Sequence, residues 1–169
     1  MKRVSLVLVI VGLGVVLMTG GAFAVTATQN VTTTVTVAAR ASLTLSANTL
    51  TFPDAAPDTT PSISASEGAI TVTANGRTSK TGNVTLTVLA AGDLTDASSD
   101  TILISNLTWT GSGTGYNANG AMSKSTGQNV GGWTGSGTYA GTLTYKLANS
   151  WSYATGTYTA TMTYTLTAP

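Results

Sequence analysis

The stretch Thr157-Tyr158-Thr159-Ala160-Thr161-Met162-Thr163-Tyr164-Thr165-Leu166-Thr167 decides the fold. Every odd position is Thr, while Tyr, Ala, Met, Tyr and Leu fill the even ones. Successive side chains of an extended strand point to opposite faces, so this period of two puts an apolar row on a core and a threonine row toward solvent or a partner. A helix would scatter the same residues around its axis.

The pattern recurs upstream. From Tyr139 to Leu147, Tyr139, Leu143, Tyr145 and Leu147 share one face, and Ala140, Thr142, Thr144 and Lys146 the other. Val31, Thr33, Val35, Val37 and Ala39 alternate with Thr32, Thr34, Thr36 and Ala38. Shorter strands are expected at Ser42 to Leu45, Leu50 to Phe52, Ala69 to Thr73, Asn83 to Leu89, Ile102 to Ile104 and Leu107 to Trp109. Turn residues separate them, and Asn75-Gly76 suits a type I′ hairpin because both tolerate positive φ. The chain has 35 threonines but one Glu and two Gln; β-branched residues favour a pleated strand over a helix. No helix is expected. Closely spaced strands without helices predict an all-β fold, an antiparallel sandwich or a barrel, of which a single antiparallel β-sandwich, Ig-like or jelly-roll-like, is the favoured reading.

The hexapeptide Trp109-Thr110-Gly111-Ser112-Gly113-Thr114 returns as Trp133-Thr134-Gly135-Ser136-Gly137-Thr138. Two copies do not make a solenoid, which needs three or more. The repeat predicts two adjacent antiparallel strands ending in similar loops, and Gly111 to Gly132 reads as a long loop between them.

At the other end of the chain, Lys2 and Arg3 precede an apolar run from Val4 to Met18, and Ala22-Phe23-Ala24 fits a small-x-small cleavage site. Residues 1–24 are therefore expected to be a signal peptide, 25–40 an N-terminal strand able to act as a donor, and 41–169 the sandwich. Without Lys2 and Arg3 the balance is five basic against six acidic side chains, a net −1. Such a chain has no basic face for nucleic acid, and no membrane association is expected after cleavage. With no Cys, an exported domain must rely on packing and sheet hydrogen bonds.

The same composition narrows the chemistry. The absence of His and Cys excludes Ser-His-Asp and thiol catalysis and the usual zinc sites. Ser79-Lys80 and Ser123-Lys124 are formal Ser-Lys pairs in turn-like segments, and Asp54, Asp58, Glu67, Asp93, Asp96 and Asp100 could supply paired acids. Neither pattern carries a mechanism, so the chain reads as a non-enzyme without a cofactor. Asp93, Asp96 and Asp100 form a calcium candidate, although the alternating ligand spacing and closing Glu of an EF-hand are missing. Trp109, Trp133 and Trp151, with Tyr116 and Tyr153 nearby, are candidates for stacking on a sugar, and large aromatics are equally at home in a core. Threonines two apart on a strand lie about 6.7 Å from one another, which admits ice binding as a further alternative. The sequons at Asn30, Asn83 and Asn106 follow from the threonine content.

The segment Gly156 to Pro169 resembles the ending of WxL-type surface domains, GTYTATLTWTL followed shortly by Pro, with Tyr164 where those domains have Trp. It is also similar to the closing strand of spore-coat-U-like and chaperone-usher-like pilin domains. The resemblance implies an exported all-β module of the bacterial cell surface. Val25 to Ala39 then suggests a mechanism, because an uncharged alternating strand can add to the sheet edge of a neighbour. Val31, Val35 and Val37 would fill that neighbour's pockets, and head-to-tail repetition would give a fibre. The expected partners are further copies of the chain or other surface proteins, with polysaccharide as the alternative. The alternative for residues 25–39 is pairing within their own domain.

Overall fold

The computed structural model describes residues 25–169, so the expected signal peptide, 1–24, lies outside the described residues. Ten strands follow in order: β1 (Arg40–Leu45), β2 (Ser62–Arg77), β3 (Asn83–Ala90), β4 (Leu94–Thr95), β5 (Thr101–Ile102), β6 (Leu107–Ser112), β7 (Asn119–Ala121), β8 (Gln128–Thr134), β9 (Gly137–Ala148) and β10 (Met162–Thr167). The one helical element among the described residues is a 3₁₀ turn at Ile104–Asn106. One sheet has the order β1-β2-β9-β6-β7, the second β10-β3-β8, and β4 pairs with β5. All the pairings are antiparallel, and the two larger sheets face one another as a sandwich.

The alternation seen in sequence sets the two layers. On β3, Val84, Leu86, Val88 and Ala90 are buried, and on β9 Leu143, Tyr145 and Leu147 meet them from the opposite sheet. The outer faces carry threonine in cross-strand register, with Thr165 opposite Thr87 and Thr167 opposite Thr85. Thr36–Pro169 form one compact unit.

Asn75-Gly76 is not a hairpin turn but lies inside β2, paired with β1 on one side and β9 on the other. Gly76 is needed there because a Cβ would come within 3.0 Å of both Val84 methyls, so the facing sheet approaches its backbone directly. The chain passes between sheets instead at Thr78–Gly82 and at Gly135-Ser136, where Gly135 takes φ +80°. The repeated hexapeptide occupies unlike places: Trp109 to Ser112 lie in β6, whereas Trp133 to Thr138 leave β8, turn, and begin β9 in the other sheet. Gly111 to Gly132 is not an open loop, since it holds β7 and most of β8. Leu50 to Phe52 pack on the core without forming a strand, and the ladder of β10 starts at Met162 rather than Thr157.

β2 carries an irregularity between Ser64 and Ala69, where its register against β9 jumps. Gly68 supplies the positive φ, +69°, that the excursion requires. The displaced residues hold the preceding loop: Ser66 N–H donates to the Thr51 carbonyl at 2.8 Å, and Thr51 N–H donates to the Glu67 carboxylate at 2.9 Å. The chain's single Glu is thus a loop anchor, and that backbone donor holds its carboxyl below the usual value of 4.5.

A side-chain hydrogen bond crosses the core between the two sheets. The hydroxyls of Tyr145 on β9 and Tyr164 on β10 hydrogen-bond to each other. Burial pushes both phenols above their ordinary value, Tyr145 far above it. Removing one partner leaves the other unsatisfied, which costs more than removing both. Tyr164→Phe is expected to destabilise the domain by about 1–3 kcal/mol in urea unfolding, and the Tyr145→Phe/Tyr164→Phe double variant by less than the sum of the single changes.

Candidate functional site

A two-sheet sandwich has two long seams where the sheet edges meet, and a strand edge left unpaired exposes a row of N–H and C=O groups. The two seams of this protein differ. Along the first, the turn after β6 crosses to β8: Asn117 N–H donates to the Val130 carbonyl at 3.0 Å, Gly132 N–H to the Gly115 carbonyl at 2.7 Å, and Tyr116 bridges Gly131. Tyr116 then plugs the gap between the layers. Its ring lies where a side chain on Gly141 would stand, and its hydroxyl donates to the Val72 carbonyl at 2.8 Å. Burial raises this phenol's pKa.

The second seam lies between β1 and β10. Each of these strands ends its sheet, and among the described residues no backbone hydrogen bond joins one to the other. The inward-facing residues here are Leu43 and Leu45 on β1 and Met162, Tyr164 and Leu166 on β10, all packed against the core yet only half-buried. By contrast Val84, Leu86 and Val88 on the neighbouring β3 are at most 1% exposed. The seam is apolar, and β10 presents an unpaired backbone edge along it.

Residues 25–39, expected as a strand, belong to no ladder. An extended segment is a strand only when another backbone satisfies its hydrogen-bonding groups, and among the described residues none does. Val31, Val35 and Val37 are 89%, 78% and 63% exposed. The segment joins the sandwich beside Arg77, whose Nε donates to the Ala38 carbonyl at 2.8 Å.

The other candidates separate. Trp109 is 3% exposed in the core, its ring covering Gly120. Trp133 is half-buried and stacked on Tyr139, with centroids 4.2 Å apart, closing one end of the core. The indole nitrogens of both are buried without partners. Trp151 alone is exposed, at 71%, and donates from Nε1 to Asp58 at 2.8 Å. Tyr153 accepts from Asn106 Nδ2 and packs on the core. The tryptophans therefore form no common platform.

Asp93 Oδ1 accepts from Ile104 N–H at 3.0 Å and Oδ2 pairs with Lys124. Asp96 caps its own loop, accepting from Ser98 and Asp100 N–H. Among the described residues no three acids converge as a metal site would require, and Asp93, Asp96 and Asp100 serve the loop. Ser123 Oγ lies 3.3 Å from Ser125 Oγ and accepts from the amides of Ser125 and Thr126, so the nearest polar partner of its hydroxyl is not Lys124. The Ser79 carbonyl accepts from Gly82 N–H within the turn that also holds Lys80.

The Ile104 amide, followed by Lys124, holds the Asp93 carboxyl below its ordinary 3.8. A depressed carboxyl contributes stability that is present above the ordinary value and is lost as pH falls through the folded one. Carbon-detected NMR titration should therefore show Asp93 with a midpoint below 3.8, and Lys124→Ala should raise that midpoint while leaving it depressed, because the Ile104 donor remains.

No protein-family model matches the chain, and no curated protein matches it in sequence.

Proposed function

We propose that the chain is a non-catalytic, exported surface protein whose copies join into a fibre, residues 25–39 of one copy adding as a strand along the free edge of β10 in the next. The observation that carries this reading is a matched deficit: a strand-like segment with no ladder and a sheet edge with no strand belong to the same chain. Val31, Val35 and Val37 lie on one face of the extended segment, as do Met162, Tyr164 and Leu166 on β10. Their chemistry is complementary.

Magnitudes favour a combined mechanism. Burying a valine contributes about 1.5–3 kcal/mol, whereas association costs roughly 4–15 kcal/mol in lost freedom. Three valines alone barely meet that cost, so the backbone ladder is needed as well. Length is sufficient, since residues 25–39 extended reach about 50 Å and the six residues of β10 about 20 Å. The resemblance of Gly156 to Pro169 to surface and pilin domains agrees with the compartment. A second reading, a carbohydrate-binding module, rests on the exposed Trp151 and its Asp58 partner.

Deleting residues 25–39 from the chain that begins at Val25 should abolish polymer in electron microscopy and light scattering while leaving the circular dichroism of the sandwich unchanged. A peptide of residues 25–39 added to the shortened chain should raise its Tm, by binding the folded state alone, and the same peptide with Val31, Val35 and Val37 changed to Asp should not. Polymer that survives the deletion would refute strand donation. Retention on polysaccharide that is lost with Trp151→Ala would support the module instead.

A further inference from the structure

Charge is sparse on this chain and unevenly placed. β1 and β2 pair so that Arg40 stands directly opposite Arg77, a like-charge pairing that costs stability on a sheet surface. Lys80 lies in the turn that follows β2, at the same end of the sandwich. No acidic side chain belongs to the segments at this end, which are the start of β1, the end of β2, the start of β3, the β8–β9 turn, the start of β9 and the end of β10, where the Pro169 oxygen accepts from Thr78 Oγ. An open cleft of about 800 Å³ lies there, lined by Arg40, Arg77, Asn75, Ser136 and Thr138 among others.

The opposite end is acidic. Asp54 and Asp58 lie in the loop that leads into β2, tied down by Asn149 Nδ2, which donates to the carbonyls of Ala55 and Thr60 at 2.9 and 3.0 Å. Asp93, Asp96 and Asp100 follow the end of β3, near the start of β10, where Thr95 bridges Thr159. Lys124 neutralises Asp93. Four aspartates at this end, Asp54, Asp58, Asp96 and Asp100, have no lysine or arginine partner among the described residues. Glu67 and Lys146 lie along the flank of the same half.

We propose that these two ends are a docking pair, the basic end of one copy seating on the acidic end of the next, so that electrostatics sets the direction in which strand donation runs. This rests on the strand-donation reading and adds its polarity. The topology makes the two agree. Residues 25–39 join the sandwich at Arg40, the basic end. β10 runs from Met162 near the acidic end to Thr167 near the basic end. A neighbour stacked beyond the basic end therefore presents its own acidic end first, and the incoming segment passes that end to reach β10. Along that edge the segment runs antiparallel to β10, as every other pair in that sheet does. Reversed stacking would bring like charges together. An isologous dimer through either end meets the same repulsion, which leaves the heterologous, open-ended contact as the favoured one.

The test uses two charge-reversed chains, Arg40→Glu/Lys80→Glu and Asp54→Lys/Asp100→Lys, each checked for an unchanged thermal melt. None of these four side chains is required by a hydrogen bond of the fold. Complementary charge accelerates association by about 10 to 1,000-fold. Each variant alone should elongate on the order of tenfold more slowly than the parent chain by light scattering. An equimolar mixture should associate faster than either variant alone, because the unaltered acidic end of the first seats on the unaltered basic end of the second; the second's altered end is neutral, two lysines against Asp58 and Asp96. In about 1 M salt, where the screening length is about 3 Å, the parent should slow to the rate of the variants. Parent-like elongation by both variants, or a mixture no faster than its components, overturns the docking pair. The chain lacking residues 25–39 separates the two claims: if it still polymerises with the same charge dependence, strand donation fails and docking stands, and if it is monomeric while the reversed variants polymerise normally, the opposite holds.

Discussion

A strand satisfies half of its backbone hydrogen-bonding groups on each side, and a sandwich of two open sheets leaves four sides to be accounted for. Much of the architecture of this protein is a response to that constraint. β7, at one edge, is three residues long and offers little. β8 is covered by Gly115 to Asn117, which cross from the other layer. β1 and β10 receive no such cover among the described residues, and their inward side chains remain half in solvent. Charged residues are a common protection for exposed edges, yet β10 has none and β1 has only Arg40 at its first position. The asymmetry between a sealed seam and an open one is the feature from which the proposed assembly follows.

The sealed seam shows how a core with modest aromatic content closes. Gly141, Gly76 and Gly120 each leave room on a strand for a neighbour to lie against bare backbone: Tyr116 on the first, Val84 on the second, Trp109 on the third. Trp133 and Tyr139 stack over one end. Layers held this close stay in contact without disulfides. The Tyr145–Tyr164 hydroxyl pair ties β10 to β9 across the core.

The fold class was legible because period-two alternation is a local property: Tyr139 to Leu147 and Met162 to Thr167 appear as strands with the expected faces, and Asn83 to Leu89 as a strand. Errors arose where a local rule met a long-range demand. Asn75-Gly76 has the chemistry of a turn, but Gly76 answers to Val84 on the opposite sheet, which no neighbouring residue announces. The two copies of the hexapeptide differ in context alone, and the left-handed glycine falls at Gly113 in one and at Gly135 in the other, different positions of the motif. β8 was missed because Gln128, Asn129, Gly131 and Gly132 are poor strand formers, held in place by β3 on one side and Gly115 to Asn117 on the other. For the candidate site, the uncharged alternation of Val31 to Ala39 was readable, but not that the segment joins no ladder; the unpaired edges are a relation between β1 and β10, more than a hundred residues apart, and appear only in three dimensions.

The registers have a kinetic consequence. Ser62 pairs with Ala148 and Met162 with Ala90, and the β2–β9 and β3–β10 ladders join segments more than sixty residues apart throughout. Folds dominated by such distant pairings form slowly, in roughly milliseconds to seconds, because closing the loop precedes the reward. During that interval β3 waits for a partner with its edge bare, and threonine-rich segments from another chain are chemically acceptable substitutes. Crowding of nascent chains therefore sets a race between intramolecular closure and premature entanglement.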